Sequence, residues 1–394
     1  MEKAGIEEAQ VQGKRVLVRV DFNVPMNDKL EITDDTRLKA VLPTIEYLIS
    51  KQAKVILVSH LGRPKGKVDQ RYSLKPVAVR LGQLLGQKVF MAQDCIGAEV
   101  KNLIDKQEQG AVILLENIRF YEEEEKNDAD FARELASLAD IYVNDAFGAV
   151  HRAHASTVGV TSYIPAYAGF LLKREIEVLS SALKSPTRPF TAIIGGAKVS
   201  DKIAVIENLL TKVDNLIIGG GMANTFFKAQ GLEMGKSLVE EDRVELAREI
   251  LNRAKSNGVN FLLPVDVVVA KEFSEHSDWR VAEVSDLAAD ELVLDIGPRS
   301  SELYAEKIRA SKTVVWNGPM GVFEMKPFAR GTEEIARALT ECHGVTIVGG
   351  GDSAAAVQRM GVVSKLTHVS TGGGASLAFL AGKTLPGVAV LKNK

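Results

Sequence analysis

Short runs of β-branched and aliphatic residues recur along the chain, each followed by glycine or polar residues and then by a stretch with helical spacing. In the first half the runs are Val16–Val20, Val55–Val58, Val112–Leu115 and Ile141–Val143. In the second half they are Thr191–Ile194, Leu216–Ile218, Phe261–Leu263, Val293–Leu294, Thr313–Trp316 and Thr346–Val348. Their apolar residues are consecutive and not alternating, which predicts strands buried on both faces. Leu38–Ser50 has the spacing of an amphipathic helix, with Pro43 expected in its first turn. Strands alternating with helices in this way predict an α/β fold with two parallel sheets, each covered by helices on both faces.

Leu172, Ile176, Leu179 and Leu183 form one helical stripe, and Lys184-Ser185-Pro186-Thr187-Arg188-Pro189 breaks it. This reads as a connecting helix over 171–185. It separates an N-terminal domain, 1–170, from a C-terminal domain, 186–377, with 378–394 packing back on the first. Two domains also suit 394 residues, more than one core usually holds. Glu122–Glu125 reads as a solvated loop.

The second half carries four junctions of strand, glycines and helix. Val345–Val348 runs into Gly349-Gly350-Gly351 and then Asp352-Ser353, both read as N-caps. Ile193–Ile194 runs into Gly195-Gly196-Ala197-Lys198, Leu216–Ile218 into Gly219-Gly220-Gly221, and His368–Thr371 into Gly372-Gly373-Gly374. Unpartnered backbone N–H groups and the helix dipole favour an anion at such turns. Asp352 repels phosphate by itself but holds a cation that binds it, so the pattern points to a metal-bound polyphosphate. Lys198 and Lys202, four apart in a helix expected after Gly196, share one face near its amino end. That position opposes the helix dipole, and we read it as phosphate contact and not as a solvated face.

Composition narrows the function. The hydrophobic fraction of 46% and charged fraction of 25% are those of an ordinary globular protein. A net charge of −2 argues against general binding to nucleic acid or membrane. Two cysteines, Cys95 and Cys342, make neither a disulfide framework nor a zinc site. The polar N-terminus does not read as a signal peptide, and no apolar run is long enough to span a bilayer, so a cytoplasmic enzyme fits, as would a binding protein.

Two phosphate motifs fail. Gly382-Lys383-Thr384 has Leu377 where a P-loop needs its first glycine, and Gly235-Lys236-Ser237 has Gln230 there. Gly349-x-Gly351-x-x-Ala354 matches the dinucleotide fingerprint, but no acidic residue follows Asp352 to bind a ribose, which weakens a dehydrogenase reading. His151 and His154 have nothing nearby to complete a metal set. In the first half, polar residues gather at strand ends: Asp21, Asn23, His60, Arg63 and Arg119, with Arg37 and Arg152 also in the basic set. Arginines at consecutive ends of one sheet converge on one place, and a guanidinium grips phosphate or carboxylate with a bidentate fork. A nucleotide-binding module without catalysis would have no use for them.

Several long motifs carry a resemblance. They are Val20-Asp21-Phe22-Asn23-Val24-Pro25, Ser59-His60-Leu61-Gly62-Arg63-Pro64, Leu115-Glu116-Asn117-Ile118-Arg119-Phe120 and His151-Arg152-Ala153-His154 in the first half. The second half adds Gly195-Gly196-Ala197-Lys198-Val199-Ser200-Asp201-Lys202, Trp316–Glu324, Gly349–Ser353 and Ser370–Ser376. On these the chain resembles the phosphoglycerate kinase family over nearly its whole length. Ser353 stands where many members have Thr, and the hydroxyl is retained.

The resemblance implies two Rossmann-like domains and reversible phosphoryl transfer from 1,3-bisphosphoglycerate to ADP, giving 3-phosphoglycerate and ATP. It implies a glycerate site at Asp21, Asn23, Arg37, His60, Leu61, Gly62, Arg63, Arg119 and Arg152. It implies a nucleotide site at Gly196, Ala197, Lys198, Lys202, Asn317, Pro319, Glu324, Gly350, Gly351, Asp352 and Ser353. Asp352 would hold Mg²⁺, bound as Mg-ATP or Mg-ADP. Arg37, Lys202 and the N–H groups of Gly372, Gly373 and Gly374 would serve the transferring phosphoryl group. A monomer with small-molecule partners and a hinge that closes the two domains is expected.

Overall fold

The computed structural model describes residues 3–394. The chain divides into two compact units, Met1–Glu177 with Thr384–Lys394, and Val178–Lys383.

The first unit is built on six parallel strands: β1 (Arg15–Arg19), β2 (Lys54–Val58), β3 (Val89–Met91), β4 (Val112–Leu114), β5 (Ile141–Asn144) and β6 (Ala166–Ala168). Their order is β3-β4-β2-β1-β5-β6. β1 is central, with Val16 beside Val55 of β2 on one side and Ile141 of β5 on the other. The valines and leucines of β1 and β2 are inaccessible to solvent, as consecutive apolar runs require of a sheet covered on both faces. β3 and β6, the two edge strands, were not foreseen; neither Val89-Phe90-Met91 nor Ala166-Tyr167-Ala168 is a β-branched run. Thr384–Lys394 joins this unit through backbone bonds from Gly387 N to Val150 O (2.9 Å) and from Lys392 N to Ala166 O (3.0 Å).

Two expectations fail here. The first helix is Thr36–Ser50, so Pro43 lies in its interior and not its first turn. Just ahead of the Asp35 N-cap, Asp34 accepts bonds from both Thr36 N (2.8 Å) and Thr36 Oγ1 (2.6 Å) in a local turn that leads into the helix. Glu122–Glu125 is not a solvated loop. It belongs to a short helix, Glu122–Lys126, whose Glu124 is fully buried. A run of four glutamates hides the one whose neighbours in space neutralise it.

The second unit holds another six-stranded parallel sheet made of β7 (Phe190–Ile194), β8 (Asn215–Ile218), β9 (Asn260–Leu262), β13 (Thr313–Asn317), β14 (Val345–Gly349) and β15 (His368–Val369), ordered β15-β14-β13-β7-β8-β9. The core beneath it includes Trp316, Tyr304 and Ile335, all inaccessible to solvent. The remaining strands, β10 (Asp266–Ala270), β11 (Trp279–Glu283) and β12 (Leu292–Ile296), form a separate antiparallel sheet, β11-β10-β12. Val293–Leu294 is thus not in the parallel sheet; its run pairs with β10 across an irregularity at Val268/Val269. Strand runs alone do not say which partner they choose.

Lys198 and Lys202 are not on a helix either. The helix after β7 is Ile203–Leu209, and Lys202 stands at its N-cap. The 195–201 loop is held instead by Glu240, which accepts bonds from Ser200 N (3.0 Å) and Ser200 Oγ (2.5 Å). Nor are Asp352 and Ser353 caps. The helix is Gly351–Arg359, capped by Gly350 at φ 94°, a left-handed conformation that favours glycine. The predicted stripe lies on a helix, Phe170–Lys184, with Leu172 and Leu179 buried, and the division between the two units falls within it, after Glu177.

Candidate functional site

At the carboxyl ends of β1, β2 and β4 the first unit gathers polar residues onto a buried base. Asp21 Oδ2 accepts a bond from Arg37 Nη1 at 2.8 Å, while Asp21 Oδ1 lies 3.9 Å from His60 Nδ1. Asn23 Oδ1 accepts from Gly62 N at 2.8 Å and so ties the β1 loop to the β2 loop. Arg119, buried at 8% exposure, donates through Nη1 to Gly62 O at 2.9 Å. Its Nε lies 3.3 Å from Glu125 Oε1 but makes no hydrogen bond. Arg152 Nε donates to His151 Nε2 at 3.1 Å. Leu61 is clamped by Asn117, whose Oδ1 accepts from Leu61 N (3.2 Å) and whose Nδ2 donates to Leu61 O (2.7 Å). Arg63 is exposed.

The electrostatics express the convergence. Burial first, then the charges of Arg19, Arg119, Arg37 and Arg152, hold the His60 imidazole well below its ordinary pKa. Arg119 itself is pushed down by burial, with Arg19 and Arg152 acting in the same direction and Glu125 opposing them. Four guanidiniums that disfavour a proton on one imidazole favour an anion in the same place. Arg19 was missed in the sequence. Its one signal was a charge inside the apolar run of β1, where it is 1% exposed.

In the second unit the glycine junctions come together through close backbone approach. A Cβ on Gly195 would lie 2.0 Å from Pro319 O, so only glycine lets the β7 and β13 loops touch. Lys202 Nζ donates to Asn317 Oδ1, and Asn317 Nδ2 is buried without a partner. Burial lowers the Lys202 pKa, opposed by the nearby carboxylates of Asp201 and Asp352. Asp352 is exposed beside the start of its helix. Ser353 Oγ accepts from Gly318 N at 2.6 Å, so its hydroxyl braces the β13 loop. Gly372 N is already turned to Ser370 Oγ at 3.2 Å. Gly373 and Gly374 open the Gly373–Leu380 helix, where N–H groups have no partner within the helix.

Beside these loops lies a cavity of about 490 Å³. Gly196, Ala197, Pro319, Glu324 and Asp352 edge it, and Phe227, Leu238 and Leu294 supply apolar wall. Such a pocket suits a flat ring system with a charged tail at its mouth. Lys198, at the same loop, is exposed.

A sequence profile described as Phosphoglycerate kinase matches residues 6–383. The chain belongs to the phosphoglycerate kinase family. It is 60% identical to a protein of Moorella thermoacetica named phosphoglycerate kinase and 58% identical to one of Pelotomaculum thermopropionicum with the same name, over 100% of both chains in each case. The structure of phosphoglycerate kinase from Coxiella burnetii superposes with a TM-score of 0.88 at 43% identity, and that from Pyrococcus horikoshii with 0.86 at 35%, each over 98% of both chains. Phosphoglycerate kinases move a phosphoryl group between a carboxyl group and a nucleotide, in glycolysis, and that is the activity of this chain. Its α/β fold is likewise that of the family's solved structures.

Proposed function

We propose that the two polar sites divide the reaction, the arginine set taking the glycerate and the glycine loops the nucleotide. The observation that carries this is the convergence of Arg19, Arg37, Arg119 and Arg152 on His60. In the ATP-consuming direction the nucleophile is the carboxylate of 3-phosphoglycerate, ionised at neutral pH, so no general base is required. Asp21, Asn23, His60, Leu61, Gly62, Arg63, Arg119 and Arg152 bind and orient the glycerate. Arg37, fixed by Asp21, faces the carboxyl group and the phosphoryl group in flight. Catalysis then consists of positioning and of stabilising charge in a loose transition state.

On the nucleotide side, Gly196, Ala197, Pro319 and Glu324 line the base and ribose pocket, while Lys198, Lys202, Asn317 and Gly350–Ser353 face the phosphates. Lys202 is partly desolvated and hydrogen-bonds a neutral amide, which leaves its charge for a phosphate. Gly373 and Gly374 supply N–H groups to the transferring group; the Gly372 N–H is committed to Ser370. Mg²⁺ fits this donor set: one exposed carboxylate, Asp352, suffices for an ion that otherwise keeps waters and substrate phosphates as ligands. When bound it would neutralise phosphate charge.

We take the enzyme to be a cytoplasmic monomer whose partners are small molecules. Transfer brings reacting atoms to about 3–3.5 Å and excludes water, which calls for domain closure once both substrates are bound. A coupled assay with 3-phosphoglycerate and Mg-ATP, together with calorimetric titration of each ligand into wild type and Arg119→Ala, tests the division. Loss of glycerate affinity alone is expected; equal loss of both affinities would overturn it. Small-angle scattering tests closure, which requires the smallest radius of gyration with both ligands present.

A further inference from the structure

Arg19 interrupts an apolar strand and is 1% exposed, yet among the described residues its guanidinium bonds to no carboxylate directly. Nε donates to Ser156 Oγ at 2.8 Å, Nη1 donates to Val20 O, and Nη2 lies 3.1 Å from His60 Nδ1. A guanidinium has donors only. His60 Nδ1 must therefore be the acceptor, and a neutral imidazole with a bare Nδ1 carries its proton on Nε2, at the opposite edge of the ring. Asp21 Oδ1, at 3.9 Å, is too far from Nδ1 to compete.

The counter-charge lies one hydroxyl away. Ser156 Oγ donates to Glu124 Oε1 at 2.6 Å, and Ser156 N donates to Glu124 Oε2 at 2.8 Å. Glu124 is 0% exposed, with His154 Nδ1 at 3.6 Å from Oε1. Its carboxyl is held below the ordinary range although burial raises it, because the nearby His154, the charge of Arg19 and the bonds from Ser156 more than compensate. A buried guanidinium is costly without a nearby anion. Glu124 and Ser156 thus make it possible for Arg19 to stay in the interior with one nitrogen spent on a histidine.

We propose that Glu124, Ser156 and Arg19 are positioning residues for the phosphoryl transfer, a buried relay that fixes His60 as the tautomer with its proton on Nε2 and so presents the ring to the glycerate as a hydrogen-bond donor. This rests on the reading of His60 as a glycerate ligand. The opposite tautomer would set two N–H donors against each other at 3.1 Å.

Two-bond proton–nitrogen correlation spectra of the full chain labelled with ¹⁵N-histidine test it, with His60 signals assigned by their loss in His60→Gln. In wild type, Nδ1 is expected at the shift of an unprotonated nitrogen and Nε2 at that of a protonated one; the reverse overturns the proposal. Glu124→Gln and the milder Ser156→Ala are expected to mix the tautomers and to raise the KM for 3-phosphoglycerate about tenfold, the effect of one hydrogen bond to a charged group. The KM for Mg-ATP should stay unchanged, which a general loss of structure would not allow. If Ser156→Ala folds with unaltered His60 shifts and unaltered KM, the relay does not act. If the tautomers mix while KM holds, the relay is real and His60 is not a glycerate ligand.

Discussion

Lys202 Nζ donates to Asn317 Oδ1, and the amide nitrogen of the same Asn317 is left buried without a partner. A buried N–H with no acceptor is costly. Here it lies where the β7, β13 and β14 loops meet, next to Gly350, whose added Cβ would come within 3.2 Å of that nitrogen. The geometry suits an acceptor brought by the ligand. Asn317→Ala should raise the KM for Mg-ATP by about 10–100-fold, since a hydrogen bond to a charged group contributes about 1.5–3 kcal/mol. The KM for 3-phosphoglycerate should not move. Steady-state kinetics with each substrate varied in turn decides it, and equal effects on both would assign Asn317 a purely structural role.

Arg37 is aimed by Asp21 at 2.8 Å, and its side chain is about one-third exposed, a placement for a group that meets ligand and not for core packing. Arg37→Ala should cut kcat by about 10²–10³-fold, the scale for losing one preorganised donor to transition-state charge. Arg63→Ala, at an exposed loop position, should act on KM instead. Single-turnover rates of purified Arg37→Ala close to those of wild type would remove Arg37 from the transferring group.

Asp352 is exposed and does not cap its helix, so replacing it leaves the backbone intact. Asp352→Asn should weaken nucleotide binding in the presence of Mg²⁺ and leave nucleotide binding in excess chelator nearly unchanged, because the lost charge matters through the ion. Titration calorimetry under the two conditions separates these. An equal loss in both would mean that the carboxylate does not serve the metal.

Asp145 carries a pH signature. Burial raises its carboxyl from 3.8 to about 7; Leu172 N donates to Oδ1 at 3.0 Å, and Oδ2 is left buried without a partner. Between those two pKa values the folded state keeps a proton that the unfolded state has released. The contribution of Asp145 to stability therefore falls as pH rises from about 4 to about 7 and is level above that. Asp145→Asn stays neutral and keeps an acceptor for Leu172 N. Its melting temperature relative to wild type should rise between pH 5 and pH 8. A constant difference across that range would show that Asp145 does not titrate in it.

Apolar runs, glycine junctions and long motifs are local, and these were legible. β1, β2, β4 and β5 were foreseen as strands because consecutive buried residues leave their mark in the sequence itself. His60, Arg119 and Asp352 were singled out because unusual residues follow strands, where an α/β sheet binds its ligands; Arg37 was named with the basic set and lies in the first turn of the Thr36–Ser50 helix. Lys198 and Lys202 were assigned to a helix because spacing four fits one, whereas Glu240, forty positions from Ser200, holds that segment as a loop.

Sequence alone determined the α/β class and the family, since each rests on what neighbours in the chain do together. Only the tertiary structure decided which of four consecutive glutamates is buried, that β12 pairs antiparallel with β10, and that Arg19 meets His60 from 41 positions away while Glu124 meets Ser156 from 32. The physical reason is the same in each case. Burying a charge or choosing a strand partner depends on groups distant in sequence that desolvate and compensate each other, and no local pattern carries that information.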